Sequence, residues 1–135
     1  MEKKRVIVID GQGGNIGKQL VKRIREELPD AYIRAVGTNS TATGNMLKAG
    51  ADEAATGENA VVVAARQADI ITGPVGIIVP DALLGEVTVA MAKAVSDSEA
   101  TKVLIPMNKC DIIIASIQDK SISELIEAAI RQIVQ

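Results

Sequence analysis

The chain of 135 residues is 47% hydrophobic but only 1% aromatic, and it carries 15 Lys and Arg against 17 Asp and Glu. It holds no His, Phe or Trp, one Tyr and one Cys, which excludes a histidine base, a His-ligated metal, a Ser-His-Asp triad and an intrachain disulfide. A net charge of −2 supplies no field for wrapping nucleic acid or coating an anionic membrane.

The first apolar run, Val6 to Ile9, is continuous rather than alternating, as in a strand buried on both faces, and it is too short for a signal-peptide core. From Ile16 the step changes to four: Ile16, Leu20, Ile24 and Leu28, with Val21 beside them, predict a helix stopped by Pro29. Tyr32 to Val36 predicts the second strand. A helix over Thr43 to Gly50 and a short strand at Glu53 to Thr56 follow. Glu58 to Gln67 reads as a helix because it stands between two strands, although Val61, Val62 and Val63 favour strand by propensity. Asp69 to Thr72 is the fourth strand, ended by Gly73 and Pro74. Leu83, Val87, Met91 and Val95 predict a helix with Asp81 as N-cap. Lys102 to Pro106 and Asp111 to Ile117 predict two strands joined too briefly for a crossover helix, hence antiparallel. Ser121 and Glu124 form a capping box for the last helix, whose apolar face runs from Ile122 to Val134.

Strands alternating with helices imply an α/β fold: a doubly wound, three-layer sandwich with a mostly parallel sheet in order 3-2-1-4-5 and an antiparallel sixth strand at the edge. Residues 1–135 read as one domain. A soluble, cytoplasmic protein is expected, with neither nucleic acid nor membrane as partner. The last helix and an aliphatic surface are compatible with a homodimer.

The segment richest in chemistry is Asp10-Gly11-Gln12-Gly13-Gly14-Asn15-Ile16-Gly17 between the first strand and first helix. Gly11 suits a tight turn, Gly13 and Gly14 admit an anion to the backbone, and Gly17 lets helix and strand touch. Free N–H groups and the helix dipole favour a phosphate here. Asp10 opposes that preference. Its carboxylate either accepts the loop N–H groups itself, leaving a self-satisfied turn, or points inward to a ligand hydroxyl or a magnesium ion. The P-loop pattern fails at Gln19, where a hydroxyl residue is required. Cys110 beside Lys109 has no histidine to activate it and reads as a small filler, while Asn108 and Lys109 face the same sheet edge as the turn.

The spacing Gly11, Gly14, Gly17 resembles the dinucleotide turn of short-chain and extended dehydrogenases and of the dihydrodipicolinate reductase family. Ala68-Asp69-Ile70-Ile71 before Gly73-Pro74 is similar to the fourth strand of those domains. The chain as a whole resembles short bacterial Rossmann-like proteins of unassigned function, through Val8-Ile9-Asp10-Gly11-Gln12-Gly13-Gly14, Gly37-Thr38-Asn39 and Met46-Leu47-Lys48-Ala49-Gly50. These resemblances imply a nucleotide ligand, NAD or NADP, held by residues 10–17, by Thr38, Asn39 and Ser40 at the ribose, and by Gly73 and Pro74. Ser40-Thr41-Ala42-Thr43-Gly44-Asn45 is similar to the hydroxyl-rich phosphate loop of flavodoxins, which leaves FMN or another phosphate ligand as an alternative. The expected function is a binding or sensing module without its own catalysis. The alternatives are an enzyme drawing on Asp10, Lys109 or Tyr32, either a small oxidoreductase or a catalytic subunit completed by a partner chain, and an empty structural domain.

Overall fold

A computed structural model describes residues 3–107, 112–115 and 119–135. Its centre is β1 (Arg5–Asp10), in which Val6 to Ile9 are at most 1% exposed because helices cover both faces of the strand. Along the chain follow α1 (Asn15–Glu27), β2 (Tyr32–Gly37), α2 (Ser40–Lys48), β3 (Glu53–Thr56), α3 (Glu58–Gln67) and β4 (Ile70–Pro74). A single 3-10 turn (Val75–Ile78), α4 (Val89–Asp97), β5 (Thr101–Ile105) and α5 (Ile122–Ile133) complete it.

The five strands run parallel in the order β3-β2-β1-β4-β5. Val8 lies level with Ala35 on one side and Thr72 on the other. Alternate residues of each strand feed two separate cores. Val6, Val8, Ile33 and Ile70 pack under α1, α2 and α5, whereas Ile7, Ile9, Val36 and Ile71 pack under α3 and α4. Much of the aliphatic stripe of α5 is used in this packing: Ile126, Ala129, Ile130 and Ile133 are buried, while Val134 stays exposed. The strand order reverses between β1 and β4, and in doubly wound sheets the crevice for ligands opens at that switch point, beyond the carboxyl ends of the strands.

Three expectations change. Helix α2 begins three residues early because Asn39 is its N-cap, its Oδ1 accepting the Ala42 N–H at 2.9 Å. Helix α4 begins at Val89 behind Thr88, not at Asp81. Residues 79–88 cannot be helical, since Asp81, Leu83, Leu84 and Gly85 have φ of 67°, 57°, 57° and 90°. The antiparallel sixth strand is not found: residues 112–115 form no ladder, and the rest of that segment lies outside the described residues. Ile112 lies instead near Pro74 and Leu83 at the carboxyl edge of the sheet.

Candidate functional site

The turn after β1 must satisfy the orphan N–H groups of the first turn of α1. Gly14 caps the helix in a left-handed conformation (φ 72°) and offers no side chain. The acceptor comes from the strand instead. Asp10 is 5% exposed, and its Oδ1 accepts the Gly11 N–H and its Oδ2 the Gly17 N–H, both at 2.7 Å. A buried carboxylate thus caps the helix from within, at the positive end of its dipole. Of the alternatives for this residue, that is the self-satisfied one.

A second carboxylate takes the next donor. Glu86, from the loop before α4, accepts at its Oε1 from the Gln12 N–H (2.9 Å), Thr38 Oγ1 (2.6 Å) and Asn39 Nδ2 (2.8 Å). Burial pushes the Glu86 carboxyl up, but the bonds from Thr38, Gln12 and Asn39 outweigh it and hold the group below the usual glutamate range. Asn39 also donates to the Gln12 carbonyl (2.9 Å), and Asn45 Nδ2 donates to the Gly13 carbonyl (2.8 Å).

What remains open is the outer side of the turn. The N–H groups of Gly13, Asn15 and Ile16 have no partner among the described residues. They border a cavity of about 250 Å³ whose far wall is Pro74, Leu83, Met107 and Ile122. A smaller apolar hollow between Val75, Val79 and Ile112 shares Pro74, Leu83 and Met107 with it.

The glycines sort by what a Cβ would meet. At Gly11 it would overlap Thr38 and stand 2.8 Å from Glu86 Oε1, and at Gly14 it would stand 2.9 Å from the Ala42 Cα. At Gly17 it would run into Met46 and stand 2.9 Å from the Asp10 Cβ. These three are required by the chain's own packing. Gly13 is different: its φ is ordinary and its Cβ position faces open space.

The predicted site residues therefore divide. Asp10 and residues 11–16 line one cavity together with Pro74, and Gly17 is set behind them with its N–H on Asp10. Thr38 and Asn39 are tied to Glu86, and Ser40 is an exposed first residue of α2. Gly73 lies against the Ile9 carbonyl, where a Cβ would collide, so its place is one of strand packing. Tyr32 lies at the start of β2, the opposite sheet edge, donating to Glu53 and accepting from Arg34 Nε at 2.8 Å. It cannot serve as a proton donor in this cavity. Asn108, Lys109 and Cys110 lie outside the described residues. Glu86 and Leu83 went unassigned because residues 81–95 read as one helical stripe. Pro80, Asp81 and Gly85 are turn formers and were the available signal.

A family model described as a domain of unknown function (DUF3842) matches residues 5–135. Among solved structures, a dodecameric FMN-dependent Ubix-like decarboxylase from Escherichia coli O157:H7 is similar, with a TM-score of 0.54 at 14% identity, over 97% of this chain and 91% of that one. At that identity the likeness is one of fold. No curated protein matches the chain. The expectation of NAD or NADP is overturned. The similar structure is described as FMN-dependent, and Thr38 and Asn39, on which an adenosine ribose would have to sit, hold the chain's own Glu86.

Proposed function

The chain belongs to the DUF3842 family, and from its cavity we propose that it is a binding module for a small ligand bearing one phosphate, of which FMN is the first to try. The phosphate would accept the N–H groups of Gly13, Asn15 and Ile16, with the body of the ligand between Pro74, Leu83, Met107 and Ile122. The observation that carries this reading is Gly13. Neither φ nor packing against the described residues requires a glycine there, yet it stands in the cavity lining beside N–H groups that have no partner among the described residues. The neighbour's description as FMN-dependent supports the choice of probe. With Tyr32 at the far edge, a ring bound here would be sandwiched by aliphatic side chains.

Titration of the purified chain with FMN, riboflavin, coenzyme A and inorganic phosphate tests it by calorimetry. Saturable binding of FMN is expected, weaker for riboflavin, with Gly13→Val reducing affinity by about tenfold or more while the unfolding temperature stays at the wild-type value. Equal affinity in Gly13→Val, or no saturable binding of any probe, refutes the reading. The second outcome would favour an empty structural domain, a reading supported by the way Asp10 and Glu86 already satisfy three N–H groups of the turn.

A further inference from the structure

The loop of residues 79–88 is a strap over the turn. Leu83, Leu84 and Asp81 hold left-handed backbone angles that are costly for residues with side chains. Leu84 at its tip is 92% exposed. Internal bonds from the Asp81 N–H to the Val87 carbonyl (2.7 Å) and from the Gly85 N–H to the Asp81 carbonyl (3.0 Å) give it shape. Its polar attachment to the turn is Glu86, and a single oxygen of that side chain receives a backbone N–H, a hydroxyl and a carboxamide. Gly11 is bare because Thr38, Glu86 and Leu83 all crowd the place its Cβ would take.

We propose that the Gln12 N–H, Thr38 Oγ1 and Asn39 Nδ2 form a receptor for one carboxylate oxygen, that Glu86 fills it as a tethered ligand, and that emptying it releases the strap. Three donors converging within 2.9 Å of one atom are the arrangement that singles out an anionic oxygen. A tether raises the local concentration of the resident carboxylate, while the strained backbone of the strap works against it. The receptor lies on the β2 side of the turn, and the donors of Gly13, Asn15 and Ile16 open on the other cavity, so the proposal stands whether or not a phosphate binds there. Because Leu83 belongs both to the strap and to the wall of that cavity, releasing Glu86 also widens the cavity.

Amide exchange and thermal unfolding of the full chain, in sodium acetate against equal sodium chloride, test this. In Glu86→Ala, exchange at Gly85 and Val87 is expected to rise about tenfold or more. Roughly 100 mM acetate should raise the Tm of Glu86→Ala by about 3 °C or more by filling the receptor. Acetamide should do nothing, and neither wild type nor the Thr38→Val/Glu86→Ala double variant should respond to acetate. Strap exchange unchanged in Glu86→Ala, or an acetate response that is absent or equal in all three proteins, overturns the proposal. If Glu86→Ala does not fold, Glu86→Gln keeps the shape but offers a neutral oxygen. Faster exchange at Gly85 and Val87 supports the proposal there, and wild-type exchange overturns it.

Discussion

Asp10→Asn is the sharpest test of how the turn is built. Both carboxylate oxygens accept backbone N–H groups at 2.7 Å from a site that is 5% exposed. An asparagine can keep one of those bonds with its carbonyl oxygen. Its NH₂ must then face the other N–H, donor against donor. The loss is one charge-assisted bond, about 1.5–3 kcal/mol, plus a buried N–H left without an acceptor, about 1–3 kcal/mol. Some relaxation of the first turn of α1 brings the expected cost to about 3 kcal/mol, or about 10 °C in Tm for a chain of this size. Urea unfolding followed by far-ultraviolet circular dichroism measures it, since a chain without Trp gives little fluorescence signal. A loss below about 0.5 kcal/mol would mean that water or another acceptor serves those amides, and the carboxylate-capped turn would have to be given up.

Three further outcomes follow from the same geometry. Thr72 is fully buried in β4, level with Val8 and Val103, and its hydroxyl has no partner among the described residues. Thr72→Val should therefore stabilise the chain by about 1–2 kcal/mol in urea unfolding, and a loss of stability would show that the hydroxyl is satisfied. Gly44 sits inside α2 with ordinary φ and open space at its Cβ position. Gly44→Ala should stabilise by about 1 kcal/mol, read as a rise in Tm. The Glu86 carboxyl is depressed in the folded chain, so its contribution is complete above the unfolded value of 4.5 and fades as pH falls through the lower folded value. Stability measured against pH should decline below about 4.5, and Glu86→Gln should flatten part of that decline. Identical profiles for the two proteins would refute the assignment.

Most of the architecture could be read from the residues. Continuous runs such as Val6–Ile9 demand burial on both faces, and the four-residue step from Ile16 to Ile24 can only be one side of a helix. The capping box of Ser121 and Glu124 is present, with Glu124 N–H to Ser121 Oγ at 3.1 Å. One misreading fell at residues 81–88, where apolar residues four apart mimicked a helix in a loop that is joined to the turn by a contact 74 residues away, Glu86 to Gln12. Periodicity reports local burial, and it carries no trace of a long-range polar bond or of the left-handed angles found in the same loop.

The site was legible in part: Asp10 stands beside the turn and can be read as an acceptor of its N–H groups, as it is for Gly11 and Gly17, whereas Glu86 cannot. A glycine turn before a helix shows that N–H groups will be exposed; it does not show which acceptor reaches them. Here the donors are shared out: the Gly11 and Gly17 N–H groups bind Asp10, the Gln12 N–H binds Glu86, and those of Gly13, Asn15 and Ile16, in the cavity lining, have no partner among the described residues. The dinucleotide resemblance assigns Thr38 and Asn39 to a ribose. In the structure both are bonded to a carboxylate of the chain itself, Glu86. The distinction rests on Glu86, a residue that no glycine spacing could have pointed to.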